Sequence, residues 1–348
     1  MTAAIAEVAS AQPPSAPWQP VDLSAVLSGS YRPPAPTVGR RSDGVGVFYP
    51  GKSHTVVSET EGGKTWFALA VTLDEMAAGN HVVYVDFEDD EGGVVGRLLA
   101  LSASPDVIRA QFHYLRPDAP LRGVHAGDLA ALLGDVKPTL AVLDGITEGM
   151  ALHGLDPNKN QDAALFGTLV TKRLTNAGAA AVSLDHVVKD RENRGRYALG
   201  AVHKLNGLSG AQYVLTNRHP FGVGLTGRST IAIAKDRPGQ LRAQALPSAG
   251  GLHWFADLVL TSHEQDFAEV GVEPPHERDE DFRPTVLMQR VSEAVAGHGG
   301  PMSGRMITTA VTGKATTIRS AIDYLILDGY LSETSPHTLI RAYDGGVE

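Results

Sequence analysis

The segment from His54 to Ala78 narrows the possible fold more than any other part of this chain. A β-branched run, His54-Thr55-Val56-Val57, leads directly into Ser58-Glu59-Thr60-Glu61-Gly62-Gly63-Lys64-Thr65. From Thr65 to Ala78 apolar residues then recur at helical spacing until Gly79-Asn80 stops them. A strand, a glycine turn and a helix in that order call for a parallel sheet, because the helix must pack on the sheet to return the chain to its starting edge. The text after it keeps the same alternation. Strand-like runs fall at 81–87, 111–115, 140–143, 179–184, 212–215 and 230–234, and helical patterns at 92–101 and 162–176. From Gln212 through Trp254 the runs are separated by Gly-rich turns and read as antiparallel. No longer repeat is evident.

The phosphate-loop pattern G-x-x-x-x-G-K-[ST] is spelled in full at Gly46-Val47-Phe48-Tyr49-Pro50-Gly51-Lys52-Ser53. Its context is wrong. The variable positions are bulky, and a strand follows where an anion cradle needs a helix N-terminus. The second stretch, Ser58 to Thr65, lacks the first glycine but stands between a strand and a helix, so it is the candidate phosphate loop. There Gly62 and Gly63 would let the backbone approach the phosphates, Lys64 would reach the β/γ oxygens and Thr65 would ligate Mg²⁺, with Thr60, Glu61 and Trp66 as further nucleotide-binding candidates beside them. A plain Gly-Gly turn is the alternative.

Two acidic strand ends complete the motif set. Val82 to Glu88 closes on Asp86-Phe87-Glu88, where Glu88 is the candidate base that orients an attacking water. For Asp89 to Glu91 an acidic helix start is the favoured reading. Leu140-Ala141-Val142-Leu143-Asp144 is an apolar strand ending in an acid suited to hold Mg²⁺.

The order of these parts resembles the RecA/DnaB-like P-loop ATPase superfamily, and within it the RepA-like hexameric helicase ATPases, over about residues 40 to 260. The resemblance implies a RecA-like α/β core, a mainly parallel sheet with helices on both faces, using ATP and Mg²⁺ with Glu88 as catalytic glutamate and Asp144 as the Walker B carboxylate. It implies that His186, ending Ser183-Leu184-Asp185-His186, senses the γ-phosphate; a satisfied histidine is the alternative. It also implies that Lys235 and Arg237, in Ile231-Ala232-Ile233-Ala234-Lys235-Asp236-Arg237, form a finger reaching a neighbouring subunit's site; an ordinary charged hairpin is the alternative. In such proteins the segment after His186 lines a central channel. Lys189, Arg191, Arg194, Arg196 and Lys204 make it basic in an otherwise acidic chain, as tracking a single-stranded DNA backbone requires. A solvated or subunit-contact loop is the other reading.

The remaining regions supply organisation. The net charge of −9 comes largely from the stretch Glu264 to Asp281, with eight acidic residues against Arg278, read as an acidic linker over 262–282. Residues 1–36, rich in Ala, Pro and Ser, read as a flexible arm, 37–261 as the ATPase core and 283–348 as a small domain resembling a winged helix-turn-helix. In that tail, helices at 286–295, 303–311 and 316–328 precede a strand-like end at 338–343. Ile318, Ile322, Leu325 and Leu331 would form its core, and Lys314, Thr317 and Arg319 would face DNA. Docking of replication proteins is the competing role.

With 43% hydrophobic residues and no long apolar run, the chain reads as globular with no membrane span, and its N-terminus lacks the pattern of a secretory signal, so it is expected to be cytoplasmic. No cysteine is present, which excludes thiolate metal sites and thiol nucleophiles. The expectation is therefore an Mg-ATP-driven homo-oligomer, a hexameric ring or a filament, that moves on single-stranded DNA as a replicative-type helicase. The alternatives are a strand-exchange or annealing ATPase and an ATP-switched DNA-binding regulator or loader with slow hydrolysis.

Overall fold

The computed structural model describes residues 20–186, 207–263, 266–275 and 284–343. Ten strands form one sheet in the order β10-β11-β9-β8-β3-β7-β6-β4-β5, with β12 on the outer side of β11. Their ranges are β3 Ser53–Ser58, β4 Val82–Asp86, β5 Phe112–Leu115, β6 Leu140–Asp144, β7 Ala180–His186, β8 Ala211–His219, β9 Thr226–Asp236, β10 Leu246–Pro247, β11 His253–Ser262 and β12 Ala268–Glu273. The strands from β5 to β8 are parallel to their neighbours, and β9 to β12 pair antiparallel. This is the parallel α/β core that the alternation of runs and helices implied, and it fits the RecA-like arrangement that the resemblance implied.

The parallel strands are mostly apolar on both faces because both faces are covered. Val82, Tyr84, Leu140, Val142, Val182 and Leu184 join one core with α2 (Lys64–Ala77) and α3 (Glu91–Ala100). The alternate residues Val83, Val85, Ala141, Leu143 and Ala181 join a second with α5 (Val124–Val136), α6 (Ile146–Leu152) and α7 (Asn160–Phe166). The helix read at 162–176 is α7 continuing through a π turn at Gly167–Thr171 into α8 (Lys172–Asn176). Two shorter helices, α1 (Ser24–Leu27) and α4 (Pro105–Gln111), complete this part.

Three stretches bear on the sequence reading. The fully spelled loop at Gly46 to Ser53 is a hairpin: β1 (Val38–Arg40) pairs with β2 (Gly46–Phe48), and Lys52 precedes β3 at the end opposite Ser58. The linker assigned to 262–282 contains β12, paired along β11 from Ser262↔Ala268 to Asp257↔Glu273. Its acids concealed a period of two, with Ala268 and Val272 buried while Glu273 meets Arg228 and Glu269 meets His263. Finally, α9 (Thr285–His298), α10 (Gly304–Ala310) and α11 (Ala315–Leu327) pack around one apolar cluster that includes Ile318, Ile322, Leu325 and Leu331. The strand-like end of this tail pairs only through the isolated bridge Leu331↔Leu339, beside Met302↔His337. Its other N–H groups turn elsewhere, Ile340 to the Tyr330 carbonyl and Tyr343 to Ser292 Oγ. Among the described residues no helix is long and apolar enough to cross a membrane.

His54 ties the hairpin to the sheet. It is fully buried, its Nδ1 accepts the Ala211 N–H at 3.1 Å, and its Nε2 lies 3.1 Å from the Tyr49 carbonyl. Burial lowers its pKa to about 4. A histidine depressed in the fold is bound neutral, so stability present above the unfolded value of ~6.5 drains away as pH falls towards 4, by up to about 3 kcal/mol. Urea unfolding at stepped pH should show this loss beginning near pH 6, and a shallower loss down to pH 5 in His54→Asn.

Candidate nucleotide site

The site lies at the carboxyl ends of β3, β7, β6 and β4, with β6 and β4 ending two residues short of β7 and β3 because Leu143 is level with Ser183. Ser58 pairs with His186 and Asp86 with Asp144, so one parallel register brings the phosphate loop and three acidic or imidazole termini to the same sheet edge. α2 starts there with Gly63 as its N-cap at φ 94°, a left-handed conformation suited to glycine, and no side chain caps its first N–H groups. Those groups are what an anion would take.

Ser58, the departure from the usual loop glycine, is completely buried and donates its hydroxyl to the Glu59 carbonyl at 2.6 Å. It fills the space beneath Gly62, where an added Cβ would come within 2.6 Å of the Ser58 side chain. A Cβ on Gly63 would approach the Phe221 ring to 2.8 Å and Leu258 to 3.0 Å, and Ser229 Oγ donates to the Gly62 carbonyl at 2.9 Å. The loop is thus boxed from below by β3 and from the side by β8, β9 and β11. Thr60 and Glu61 are exposed, Glu61 at φ 61°. The Trp66 ring packs on the core with the Arg97 guanidinium 6.0 Å from its centre, so only its backbone faces the loop's function.

Lys64, Thr65, Glu88, Asp144 and His186 are brought together. Lys64 Nζ is 3.4 Å from His186 Nδ1, and His186 Nε2 is 3.8 Å from Glu88 Oε1. Thr65 Oγ1 donates to Asp144 Oδ2 at 3.4 Å, and the buried Tyr84 hydroxyl donates to the same oxygen at 2.6 Å. Asp86 turns the chain at the end of β4: its Oδ1 accepts the N–H groups of Glu88 and Asp89, each at 2.9 Å, and its Oδ2 accepts from Tyr114 at 3.0 Å. Gly145 lets β6 end against Glu88, since a Cβ there would lie 3.1 Å from that of Glu88.

Burial lowers the pKa of Lys64 while Asp144, Glu88 and Asp185 oppose that shift. Burial raises Glu88, with Asp144 and Glu148 adding to it, and raises Asp144, with the Tyr84 hydroxyl opposing and Asp86 adding to it. Carboxylates crowded in this way favour an added cation, and a glutamate shifted upward is better matched to proton transfer. Among the described residues no cluster of three or more His, Cys, Asp or Glu is arranged to hold a metal by itself. Thr65 and Asp144 therefore fit Mg²⁺ in the manner of a nucleotide site, where phosphates complete the coordination.

Other sequence candidates lie apart. Lys235 is level with Gln212 and so with Thr55, and the Arg237 N–H bonds Gly210, itself level with Ser53. Along the strands they stand about 10 and 17 Å below Ser58, so one chain does not bring them to Lys64. Lys189, Arg191, Arg194, Arg196 and Lys204 fall outside the described residues. Lys314 is the N-cap of α11, Thr317 and Arg319 are in its first turns, and Arg319 lines an open groove with Arg305 of α10. Tyr84, Tyr114, Phe221 and Ser229 escaped the sequence reading. The one available signal was a tyrosine inside an aliphatic strand, whose hydroxyl needs a partner when buried.

No curated protein matches the chain. Residues 21–192 are similar to the family model described as AAA domain, a P-loop ATPase family of the RecA/DnaB-like clan, and the loop, Lys64, Thr65 and Asp144 are arranged as a P-loop ATPase site requires.

Proposed function

We propose that the protein hydrolyses ATP with Mg²⁺ as a homo-oligomer, a ring or filament, and couples that cycle to single-stranded DNA as a replicative-type helicase. The observation that carries the assembly is the placement of Lys235 and Arg237 at the far end of β9, away from their own phosphate loop. A finger there acts only on a neighbouring copy, where a guanidinium stabilises charge on the transferring phosphoryl group. Within one chain Lys64 and the α2 N-terminus would hold the phosphates, and Thr65 and Asp144 the metal, which when bound neutralises phosphate charge. Glu88, aimed by Asp86, would orient the water. The basic run supports the DNA partner: it begins just after His186, the residue that touches both Lys64 and Glu88, so phosphate occupancy and DNA contact share one stretch of backbone.

The competing reading, an ATP-switched DNA-binding regulator, draws on the tail. There α10 and α11 are joined by four residues, 311–314, and present Arg305 and Arg319 along one groove, an arrangement that resembles a helix-turn-helix.

Binding of a fluorescent ATP analogue should be lost in Lys64→Ala and kept in Lys52→Ala; the reverse would place the nucleotide at the hairpin. Mg-dependent turnover per subunit should rise with protein concentration and with added single-stranded DNA. DNA-indifferent, slow turnover would favour the switch. Arg237→Ala should bind ATP normally yet lose hydrolysis, and mixing it with Glu88→Gln should restore part of the rate, since mixed interfaces pair an intact finger with an intact base. Absence of rescue would remove the trans role.

A further inference from the structure

We propose that Tyr84 and Tyr114 are positioning residues for this site, Tyr84 holding the metal carboxylate Asp144 and Tyr114 holding Asp86, which aims Glu88. The inference rests on the nucleotide reading of the site and assigns work to two side chains that touch neither nucleotide nor metal.

The same diagonal occurs twice across neighbouring strands. Tyr84 stands level with Val142 on β6 and reaches two residues further to Asp144; Tyr114 stands level with Tyr84 on β4 and reaches two residues further to Asp86. The two rings are level and stacked, 6.2 Å apart and 18° from parallel, so neither hydroxyl can swing without disturbing the other ring. Phenylalanine would fill nearly the same volume at either position. What tyrosine adds is one donor per carboxylate at the buried end of the site, where an unpaired hydroxyl would be costly. Tyr84 is fully buried, and its hydroxyl makes the shortest of these contacts, 2.6 Å to Asp144 Oδ2. Held there and by Thr65, Asp144 has its carboxylate plane set before a cation arrives. On the other branch Tyr114 pins Asp86 Oδ2 while Asp86 Oδ1 collects the Glu88 and Asp89 N–H groups, so the turn that presents Glu88 is braced from β5. Outer partners of this kind commonly change metal affinity or activity by about 10- to 100-fold when removed.

The two branches make separable claims. In Tyr84→Phe, nucleotide binding without Mg²⁺ should match the parent, while the Mg²⁺ concentration that half-completes the Mg-dependent change in analogue fluorescence should rise about tenfold. Tyr84→Phe added to Asp144→Asn should have no further effect on that titration. In Tyr114→Phe, kcat should fall about tenfold with the Mg²⁺ titration and the KM for ATP unchanged. A parent protein that neither binds nor hydrolyses ATP would overturn the nucleotide reading itself. A responsive parent whose Tyr84→Phe and Tyr114→Phe variants titrate and turn over as it does would overturn the tyrosine assignment alone. If Tyr84→Phe melts well below the parent, the partly exposed Tyr114 carries the decision through its split between kcat and KM.

Discussion

Parallel register is the constraint on which the site depends. The side chains that matter come from strand ends or the turns after them, and strands β3, β7, β6 and β4 each contribute at most a few. Their usefulness comes from ending at one sheet edge in a fixed register, with Ser58 beside His186, and Asp86 beside Asp144 two residues short of them. A slip of one residue in any pair would move an acid along the sheet by about 3.3 Å and turn it to the opposite face. Two cores, one on each face, hold that register, because alternate residues of the same strands are buried against different helices. Packing on both sides is thus what gives the carboxylates their places.

Electrostatics then decides what the assembled edge can accept. Asp144, Glu88 and Asp185 act on Lys64, and burial pushes Lys64, Asp144 and Glu88 each towards its neutral form. Phosphates at the lysine and a cation at the acids would each favour the charged forms that burial opposes. The phosphate loop is shaped for the anionic half. Gly62 and Gly63 are held by contacts that a Cβ would violate, and Ser58 turns its hydroxyl onto the loop's own backbone.

Much of this was legible from residue order. The strand, the Gly-Gly-Lys-Thr turn and the helix are local features, as are the acids ending β4 and β6, and local features survive translation into structure. The rejection of the hairpin at Gly46 to Ser53 was also local, since a strand follows it. What remained hidden depends on partners far away in sequence. Tyr84 reads as a strand filler until Asp144, sixty residues on, accepts its hydroxyl. Ser229 and Phe221 read as hairpin residues until β8 and β9 fold beside the phosphate loop. The strand β12 was masked because acids on its outward positions outweighed two buried apolar residues.

The sequence by itself determined the class of fold and singled out the candidate phosphate loop with Lys64, Thr65, Glu88 and Asp144 as candidates, because each is written in a short stretch whose chemistry is self-contained. Tertiary structure alone decided that Ser58 is compatible with the loop, that Asp144 and Asp86 are each held by a tyrosine from the neighbouring strand, and that Lys235 and Arg237 lie beyond reach of their own site. The physical reason is that hydrogen bonds across a sheet follow register and twist, and register is a property of the packed layers rather than of any one segment.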